Sequence, residues 1–154
     1  MFQHPFKTAK WIALGLIILC WLFFLLSRTP IYKHNELEYG ITFSHKQSQG
    51  LGLDWKKNYT AILDDLKVKK LRLAAYWDDV QPEQNRYNWE DLDWQINEAE
   101  KRNVDIILVM GNRVPRWPEC HLPGWVQPMQ KEQREEATLE YIRETIARYR
   151  DRPT

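Results

Sequence analysis

The chain has 154 residues, 28% of them charged, and a formal net charge of +1. A chain of this length buries one small core, so at most one soluble domain is expected, and the even mixture of acidic and basic residues excludes the footprint of a nucleic-acid-binding protein. Tryptophan is unusually frequent, with 8 residues. Several of them lie in loops, which suggests flat ligands such as sugars, whose C–H faces stack on aromatic rings.

The two cysteines predict neither a disulfide nor a metal site. Cys20 lies inside an apolar run and Cys120 in a distant loop, so the two are not expected to pair. Cys120 is followed by His121, but a zinc site needs three or four ligands at recognisable spacing, and the sequence has no second pair of this kind. We therefore predict no bound metal and no cofactor.

An apolar segment without a single charge occupies Trp11–Leu26 and follows Lys7 and Lys10. As a helix it is about 24 Å long, at ~1.5 Å per residue, and snorkelling side chains on its flanks extend it toward the ~30 Å hydrocarbon core of a bilayer. The indole of Trp11 suits the membrane interface. Because the segment is apolar on every face, the alternative of a buried core helix in a soluble protein is disfavoured.

The flanks of this segment favour an uncleaved signal anchor. Its C-terminal side, LLSRTP, lacks the small residues of a cleavage site, and Cys20 follows a leucine instead of the small residue that precedes a lipoprotein cysteine. We predict a single-pass membrane protein with its N-terminus inside and residues 30–154 extracytoplasmic. The predicted divisions are a cytoplasmic N-terminus at 1–10, a transmembrane signal anchor at 11–27, a linker at 28–38 and a folded domain at 39–154.

Strand and helix patterns alternate beyond the linker. Tyr39–Phe43 (YGITF) has the composition of a first strand. Asp54 begins a helix whose apolar residues recur with helical spacing, and a second strand follows over Leu71–Tyr76. The apolar stripe of this helix consists of Trp55, Tyr59, Ile62, Leu63 and Leu66.

Two further helices flank a third strand. The first starts near Asn88 or Glu90 and ends before Asn103, a favourable C-terminal signal. Val104–Met110 (VDIILVM) is almost continuously apolar, as expected for a strand in a buried parallel sheet. The last helix covers Glu132–Arg148 and has acidic residues in its first turns, where the helix dipole favours them. Its predicted inner face consists of Thr138, Tyr141, Ile142, Thr145, Ile146 and Tyr149.

The spacing of the strands predicts the fold class. They start near residues 39, 71 and 104, and eight units of roughly 33 residues make about 260 residues, the usual size of a closed barrel. We predict an α/β fold that consists of the first three βα units of a TIM (β/α)8 barrel, with right-handed crossovers, preceded by one transmembrane helix. The third strand would be an apolar edge, open to pairing with another chain.

Alternation along the second strand predicts which side chains face the barrel interior. Leu71 and Leu73 lie on the face that suits the outer helices, whereas Arg72 lies on the opposite face. A buried guanidinium needs a carboxylate partner, which later strands would supply. The alternative is a surface arginine on an edge strand.

A series of short motifs runs from the second strand to the end of the chain. They are LRLAAYW at 71–77, Pro-Glu at 82–83, RYNWEDLD at 86–93, DIILVMGNR at 105–113, PRWP at 115–118 and YRDRP at 149–153. Together, over about residues 39–153, the chain resembles the clan A glycoside hydrolases, retaining (β/α)8 enzymes that include beta-galactosidase-like and cellulase-like families. Gln81 stands where the family usually has a Glu, and Asn85 replaces a usual Gly, which is tolerated because Asn accepts left-handed geometry.

The resemblance implies a carbohydrate substrate and two catalytic glutamates about 5 Å apart. In clan A these residues end the fourth and seventh strands, so no residue of this sequence inherits a catalytic role. Asp78 and Asp79 are expected to take part in loop hydrogen bonding or helix capping, and Glu83 and Glu119 to be solvated. By resemblance, Arg72 would hold the nucleophile. Four residues would end strands at the active rim, namely Tyr76, Trp77, Asn112 and Arg113. Two tryptophans in the third loop, Trp117 and Trp125, would be stacking platforms for a sugar, and for each tryptophan the alternative is packing against neighbouring loops.

We therefore expect this chain to be the membrane-anchored N-terminal fragment of a glycoside hydrolase that acts on O-glycosidic bonds of a carbohydrate. The fragment lacks both catalytic glutamates, so we expect this chain alone to be inactive. Its expected partners are a carbohydrate, by resemblance, and the membrane, through Trp11–Leu26. The alternative is a non-catalytic, membrane-anchored module that binds carbohydrate or pairs its open sheet edge with another protein.

Overall fold

A computed structural model describes residues 5–27, 39–116 and 118–152. The chain divides into two compact units, Met1–Leu37 and Glu38–Thr154. The predicted linker at 28–38 lies outside the described residues, as does Trp117, one of the predicted stacking platforms.

The first unit contains one long helix, α1, over Pro5–Ser27. Proline is suited to the first helical position, where its missing N–H has no intrahelical partner to lose. The stretch Lys10–Ser27 has a mean hydropathy of 2.2 and none of it is buried. By length and composition α1 is therefore able to cross a membrane; the predicted orientation remains a prediction.

The second unit is built on a three-stranded parallel sheet with the order β1-β2-β3. The strands are β1 (Ile41–Thr42), β2 (Lys70–Ala74) and β3 (Asp105–Val109). Thr42 pairs with Arg72 and Arg72 with Ile107, so these three residues form one row across the sheet. The predicted strands, their parallel direction and the α/β class are confirmed, although each strand is shorter than its apolar run.

Five helices belong to this unit among the described residues: α2 (His45–Gly50), α3 (Trp55–Asp64), α4 (Trp77–Val80), α5 (Glu90–Glu100) and α6 (Lys131–Tyr149). The Asp54 carboxylate accepts hydrogen bonds from two backbone N–H groups of α3, which satisfies donors that have no partner within the helix. The Ser44 hydroxyl caps α2 in a similar way and accepts one hydrogen bond, from the Gln47 N–H. The three longer helices confirm the sequence analysis, whereas α2 and α4 were not predicted.

Helices cover one face of the sheet. Leu71 and Leu73 of β2 are buried, and so are Ala75 and Trp77 beyond its end, which confirms the predicted alternation. The buried side chains packed with them include Tyr59 of α3, Ile96 of α5 and Tyr141 of α6. On α6 the predicted inner face is confirmed at Thr138, Tyr141, Thr145 and Tyr149, but Ile146 is 46% exposed, so the prediction was wrong there.

Asn85 adopts a left-handed conformation, with φ of 60°, in the turn closed by the Arg86 N–H bond to the Glu83 carbonyl. We expect Asn85→Ala to lower the free energy of unfolding by about 1 kcal/mol, because a Cβ without a local hydrogen-bonding group is disfavoured at positive φ. Asn85→Gly should leave it unchanged or raise it by up to about 1 kcal/mol. Urea unfolding of both variants measures the difference, and equal stability of the Ala and Gly variants would contradict this account.

Candidate functional site

The three segments that leave the carboxyl ends of the strands contact one another and form a continuous edge, here called the rim. The Ala75 N–H donates to the Val109 carbonyl at 2.9 Å, and the Asp78 N–H donates to the His121 carbonyl at 3.2 Å. The hydroxyls of Ser44 and Tyr76 are 2.6 Å apart. In parallel α/β proteins ligands bind outside the carboxyl ends of the strands, so the rim is the candidate site.

Tyr76 lies at the centre of the rim and is buried. The rings of His45 and His121 meet its ring edge-on, with centroids 5.1 and 4.5 Å away. Burial raises the pKa of the Tyr76 phenol, so the group is neutral near pH 7 and its hydroxyl can both donate and accept a hydrogen bond. Tyr76 therefore joins segments that follow all three strands.

Five ionisable side chains from three segments surround Tyr76; we call them the rim ion cluster (His45, Lys46, Asp78, Asp79 and His121). Asp79 accepts from His45 Nε2 at 2.8 Å and from Lys46 Nζ at 2.6 Å. Asp78 Oδ2 lies 3.2 Å from the same Lys46 Nζ and 3.7 Å from His121 Nδ1. One ammonium therefore bridges two carboxylates, and each carboxylate has a histidine at its side.

Contacts between opposite charges in this cluster shift the pKa values of Asp79 and Lys46 toward their charged forms. Burial alone would raise the pKa of Asp79, but its hydrogen bonds to His45 and Lys46 outweigh burial and hold the pKa below the usual range. Burial alone would lower the pKa of Lys46, but the contacts with Asp79 and Asp78 outweigh burial and raise it. Asp79 and Lys46 are both charged at neutral pH, so their contact is an ion pair over a wide pH range.

Arg72 lies on the sheet face opposite the helices and is exposed. Its Nε donates to Thr42 Oγ1 at 3.0 Å. Because β2 is the middle strand, Arg72 is not an arginine on an edge strand, which was the alternative interpretation. The residue faces the side predicted to become a barrel interior, and its role toward a nucleophile remains a prediction.

The predicted aromatic contacts have different surroundings. Trp77 has no exposed surface; its ring stacks on Tyr141 with centroids 5.1 Å apart, and its Nε1 donates to Gln81 Oε1 at 2.8 Å. Trp125 is half-buried, and its Nε1 donates to the Gln81 carbonyl at 3.0 Å. In this arrangement Trp77 is a core residue with no face open to a ligand, whereas part of Trp125 is accessible.

The two predicted polar residues after β3 are both exposed. Asn112 Oδ1 accepts from Thr138 Oγ1 at 2.9 Å, so its side chain is held by α6. Arg113 NH1 lies 4.0 Å from Glu119 Oε2, so Glu119, expected to be simply solvated, has a partner within its own loop. The structure therefore does not bring Asn112 or Arg113 into the rim ion cluster.

The sequence analysis missed His45, Lys46 and His121 as site residues. Asp78 and Asp79 were expected to take part in loop hydrogen bonding, and the partners of Asp79 lie 33 and 34 positions away. Within the ranges described, no group of three or more His, Cys, Asp or Glu side chains is arranged to hold a metal ion. The only signal in the sequence was the pair of aspartates directly after a strand.

The strands are parallel and are joined by helices that cover one face of the sheet, which defines an α/β protein. Polar side chains gather where the strands end, so the candidate site lies at the carboxyl edge of the sheet. A family model described as beta-galactosidase matches residues 48–152. The match covers more than half of the chain, so the chain belongs to this family of glycoside hydrolases, and the resemblance noted in the sequence is confirmed. A comparison with curated proteins finds no match.

Proposed function

We propose that the Glu38–Thr154 unit supplies the first three βα units of a (β/α)8 barrel that acts on the O-glycosidic bonds of a carbohydrate. One observation carries this proposal: among the described residues of this unit, helices cover one face of the parallel sheet and leave the other face open. The other face carries the exposed Arg72 and the 61% exposed Ile107. In a closed barrel such a face becomes the packed interior, which would account for an apolar side chain that is exposed here.

Substrate would meet the rim, because barrel enzymes place their sites at the carboxyl ends of the strands. The proposed contacts are Arg72, Tyr76, Asn112, Arg113, Trp117 and Trp125; Trp77, which has no exposed surface, is not proposed as a contact. Family membership and the exposure of Arg72, Asn112 and Arg113 support this assignment. The two catalytic glutamates of the retaining mechanism are proposed to come from strands other than the three described.

Activity and sugar binding can be measured on the same sample. We expect the full 154-residue chain, purified in detergent, to bind galactose in ligand-observed NMR but to show no turnover of an aryl β-galactoside. Arg72→Gln should weaken binding, whereas Arg143→Gln, an exposed arginine on α6, should not. Turnover by this chain would contradict the assignment of both glutamates to other strands, and absence of binding would contradict the carbohydrate site.

A second candidate is a non-catalytic, membrane-anchored module that binds carbohydrate or another chain. The observation in its favour is that β3 pairs with β2 alone among the described strands, which leaves an unpaired apolar edge of the kind that recruits another strand. Ile107→Lys would place a charge beside this edge. A defined oligomer that dissociates with Ile107→Lys, in a protein that neither binds nor cleaves sugar, would favour a module that pairs with another chain over the enzyme.

We further propose that α1 anchors the protein in a membrane with the N-terminus inside. The support is the composition of α1, whose stretch Lys10–Ser27 is long and apolar enough to span a bilayer, with Lys10 at the start of that stretch. Positive residues on the cytoplasmic side set such orientations.

Cys120 reports on this topology, since its side chain is exposed in the Glu38–Thr154 unit. We expect a membrane-impermeant maleimide to label Cys120 in intact cells that express the chain, because residues 30–154 would lie outside. Cys120→Ser should remove the labelling, since the other cysteine, Cys20, lies within α1 and would be shielded by lipid. Labelling that requires permeabilised cells would reverse the orientation.

A further inference from the structure

The long helices of the Glu38–Thr154 unit lie side by side in the order α3, α5, α6, because α5 contacts both of the others. The Tyr59 hydroxyl of α3 donates to the Gln95 carbonyl at 2.7 Å, and Arg148 Nε of α6 donates to Asp93 Oδ1 at 3.0 Å. The strands lie in the same order. The unit therefore has two opposite flanks. The α3 flank comprises β1 and the side of α3 that faces away from α5, and the α6 flank comprises β3 and the side of α6 that faces away from α5.

The α3 flank carries a groove of about 490 Å³ with mostly apolar walls. Three leucines that line it are strongly exposed, Leu51 at 64%, Leu53 at 50% and Leu66 at 63%. Two charged side chains also line the groove. Arg116 comes from the loop after β3 and acts on the Tyr76 phenol, so it marks the rim end, whereas Asp65 directly follows α3 and marks the other end.

The α6 flank carries an apolar stripe. Leu139 is 51% and Ile146 46% exposed, and Ile142 is partly buried between them. Spacings of three and four residues place these side chains on one side of a helix, and Arg148, which contacts α5, lies on another side. Because α6 begins at the rim, the exposed charges along the stripe change from acidic at the rim end to basic at the other end: Glu132, Glu135, Arg143 and Arg150.

The strand at the edge of each flank is unprotected. Among the described strands, β1 and β3 each pair with β2 alone. The segment Tyr39–Phe43 contains no charge and no proline, and the one charged residue of β3 is Asp105 at its start. Native edge strands usually carry lysines, prolines or bulges that prevent further pairing. Neither edge has these features, so each is able to pair with another strand.

We propose that the Glu38–Thr154 unit binds a second copy of this chain, with the α6 flank of one copy against the α3 flank of the other and β3 pairing in parallel with β1. In this orientation the acidic end of the α6 flank meets Arg116 and its basic end meets Asp65. The reverse orientation would oppose like charges at both ends, which disfavours it. The inference rests on the second candidate function, the module that pairs with another chain, and names that chain.

A contact between two different flanks is heterologous, so each copy in a pair keeps one flank free for a further copy. We expect the full chain in detergent micelles to form dimers and larger species as its concentration rises, measured by light scattering after size-exclusion chromatography. Leu139→Lys and Leu66→Lys should each weaken this association at least about a hundredfold, because a charge without a partner would be buried. Glu140→Lys, at an exposed position of α6 away from the stripe, is the control and should associate as the unmodified chain does.

Mixing the two variants separates this arrangement from other ways of forming an oligomer. The Leu66→Lys chain keeps its α6 flank and the Leu139→Lys chain keeps its α3 flank. An equimolar mixture should therefore form dimers and nothing larger, although each variant alone is monomeric. Both leucines are exposed, so both variants should keep the circular dichroism spectrum of the unmodified chain. A mixture that stays monomeric, or an oligomer that neither variant dissociates, as contacts between α1 helices would give, would overturn the proposal.

The failures of the proposals give different results. A chain that stays monomeric at every concentration overturns the second-copy contact, while its binding of galactose still decides the carbohydrate site. An oligomer that Ile107→Lys disperses, but that the mixture of flank variants does not restore, leaves the module in place and removes the contact between these two flanks. Association through the flanks in a chain that binds no galactose supports the second-copy contact and contradicts the carbohydrate site.

Discussion

Replacing Trp77 by alanine should lower the free energy of unfolding of the Glu38–Thr154 unit by about 3–5 kcal/mol, the range for deleting a large buried aromatic side chain. The indole has no exposed surface and stacks on Tyr141 with an interplanar angle of 13°. Its removal also leaves Gln81 Oε1 without the indole donor that it has at 2.8 Å. Since whole domains are stable by only about 5–15 kcal/mol, we expect this variant to be partly or fully unfolded at room temperature.

Urea unfolding followed by far-UV circular dichroism, in detergent that keeps α1 helical, measures this loss. Tyr39→Ala is the control, because Tyr39 is an exposed aromatic residue of the same unit, and its loss should change the stability by no more than about 0.5 kcal/mol. A Trp77→Ala chain within about 1 kcal/mol of the unmodified chain would show that the ring is not part of the core.

The behaviour of Trp77 shows where two kinds of sequence reasoning disagree. Alternation along β2 placed it on the face of Leu71 and Leu73, and it is buried with them. Resemblance placed it at the rim with Tyr76. Alternation depends on backbone geometry alone, whereas a position at the end of a strand does not determine which way a side chain turns.

Most of the fold could be predicted because its signals are local. Helix α3 begins where Asp54 caps it, α5 and α6 have apolar stripes, and the left-handed Asn85 has a residue type that accepts positive φ. The three strands are apolar runs at regular spacing, so their parallel order follows from the helices between them. Each of these features needs only a few neighbouring residues to be recognised.

Helix α2 could not be predicted, since its sequence HKQSQG contains no apolar residue to set a periodic pattern. It is held by the Ser44 cap and by distant contacts such as the Asn58 side-chain donor to Ser48 Oγ at 2.9 Å. Because α2 was missed, so were His45 and Lys46, and Asp78 and Asp79 had no visible partners. The candidate site was hidden for this reason: its charges meet only when segments more than 30 positions apart are folded together.

Asp79→Asn should lower the free energy of unfolding at neutral pH by about 1–2 kcal/mol, because hydrogen bonds to a charged group are lost. We use the lower side of the range for such bonds because Asp79 is 38% exposed and solvent screens the ion pair. The sign of its pH dependence follows from the lowered pKa of Asp79. Between the folded pKa and the ordinary value of 3.8, the unfolded chain binds the proton that the folded chain does not. The stabilisation is therefore complete above the ordinary value and is lost as the pH falls through the folded pKa.

Lys46 has the opposite dependence. Because the pKa of Lys46 is raised in the folded chain, its contribution to the free energy of unfolding is complete below the ordinary pKa of 10.5. This contribution is lost only as the pH rises through the higher folded pKa. The pair Asp79–Lys46 should therefore stabilise the rim across the whole neutral range. We expect the stability difference between the unmodified chain and Asp79→Asn to be present at neutral pH and to shrink below about pH 4.

Urea unfolding at several pH values measures this difference. A second carboxyl, Asp93, also has a lowered pKa, because hydrogen bonds from Arg148 and Tyr149 outweigh the effect of burial. Asp93 is present in both chains, so its contribution to the loss of stability in acid cancels in the comparison. Asp151→Asn, an exposed carboxyl paired with the adjacent Arg150, should show no such pH-dependent difference. Asn keeps the shape of the Asp side chain, so a difference that persists unchanged in acid would mean that the effect of Asp79→Asn does not depend on the charge of Asp79, and this would contradict stabilisation of the rim by the ion pair.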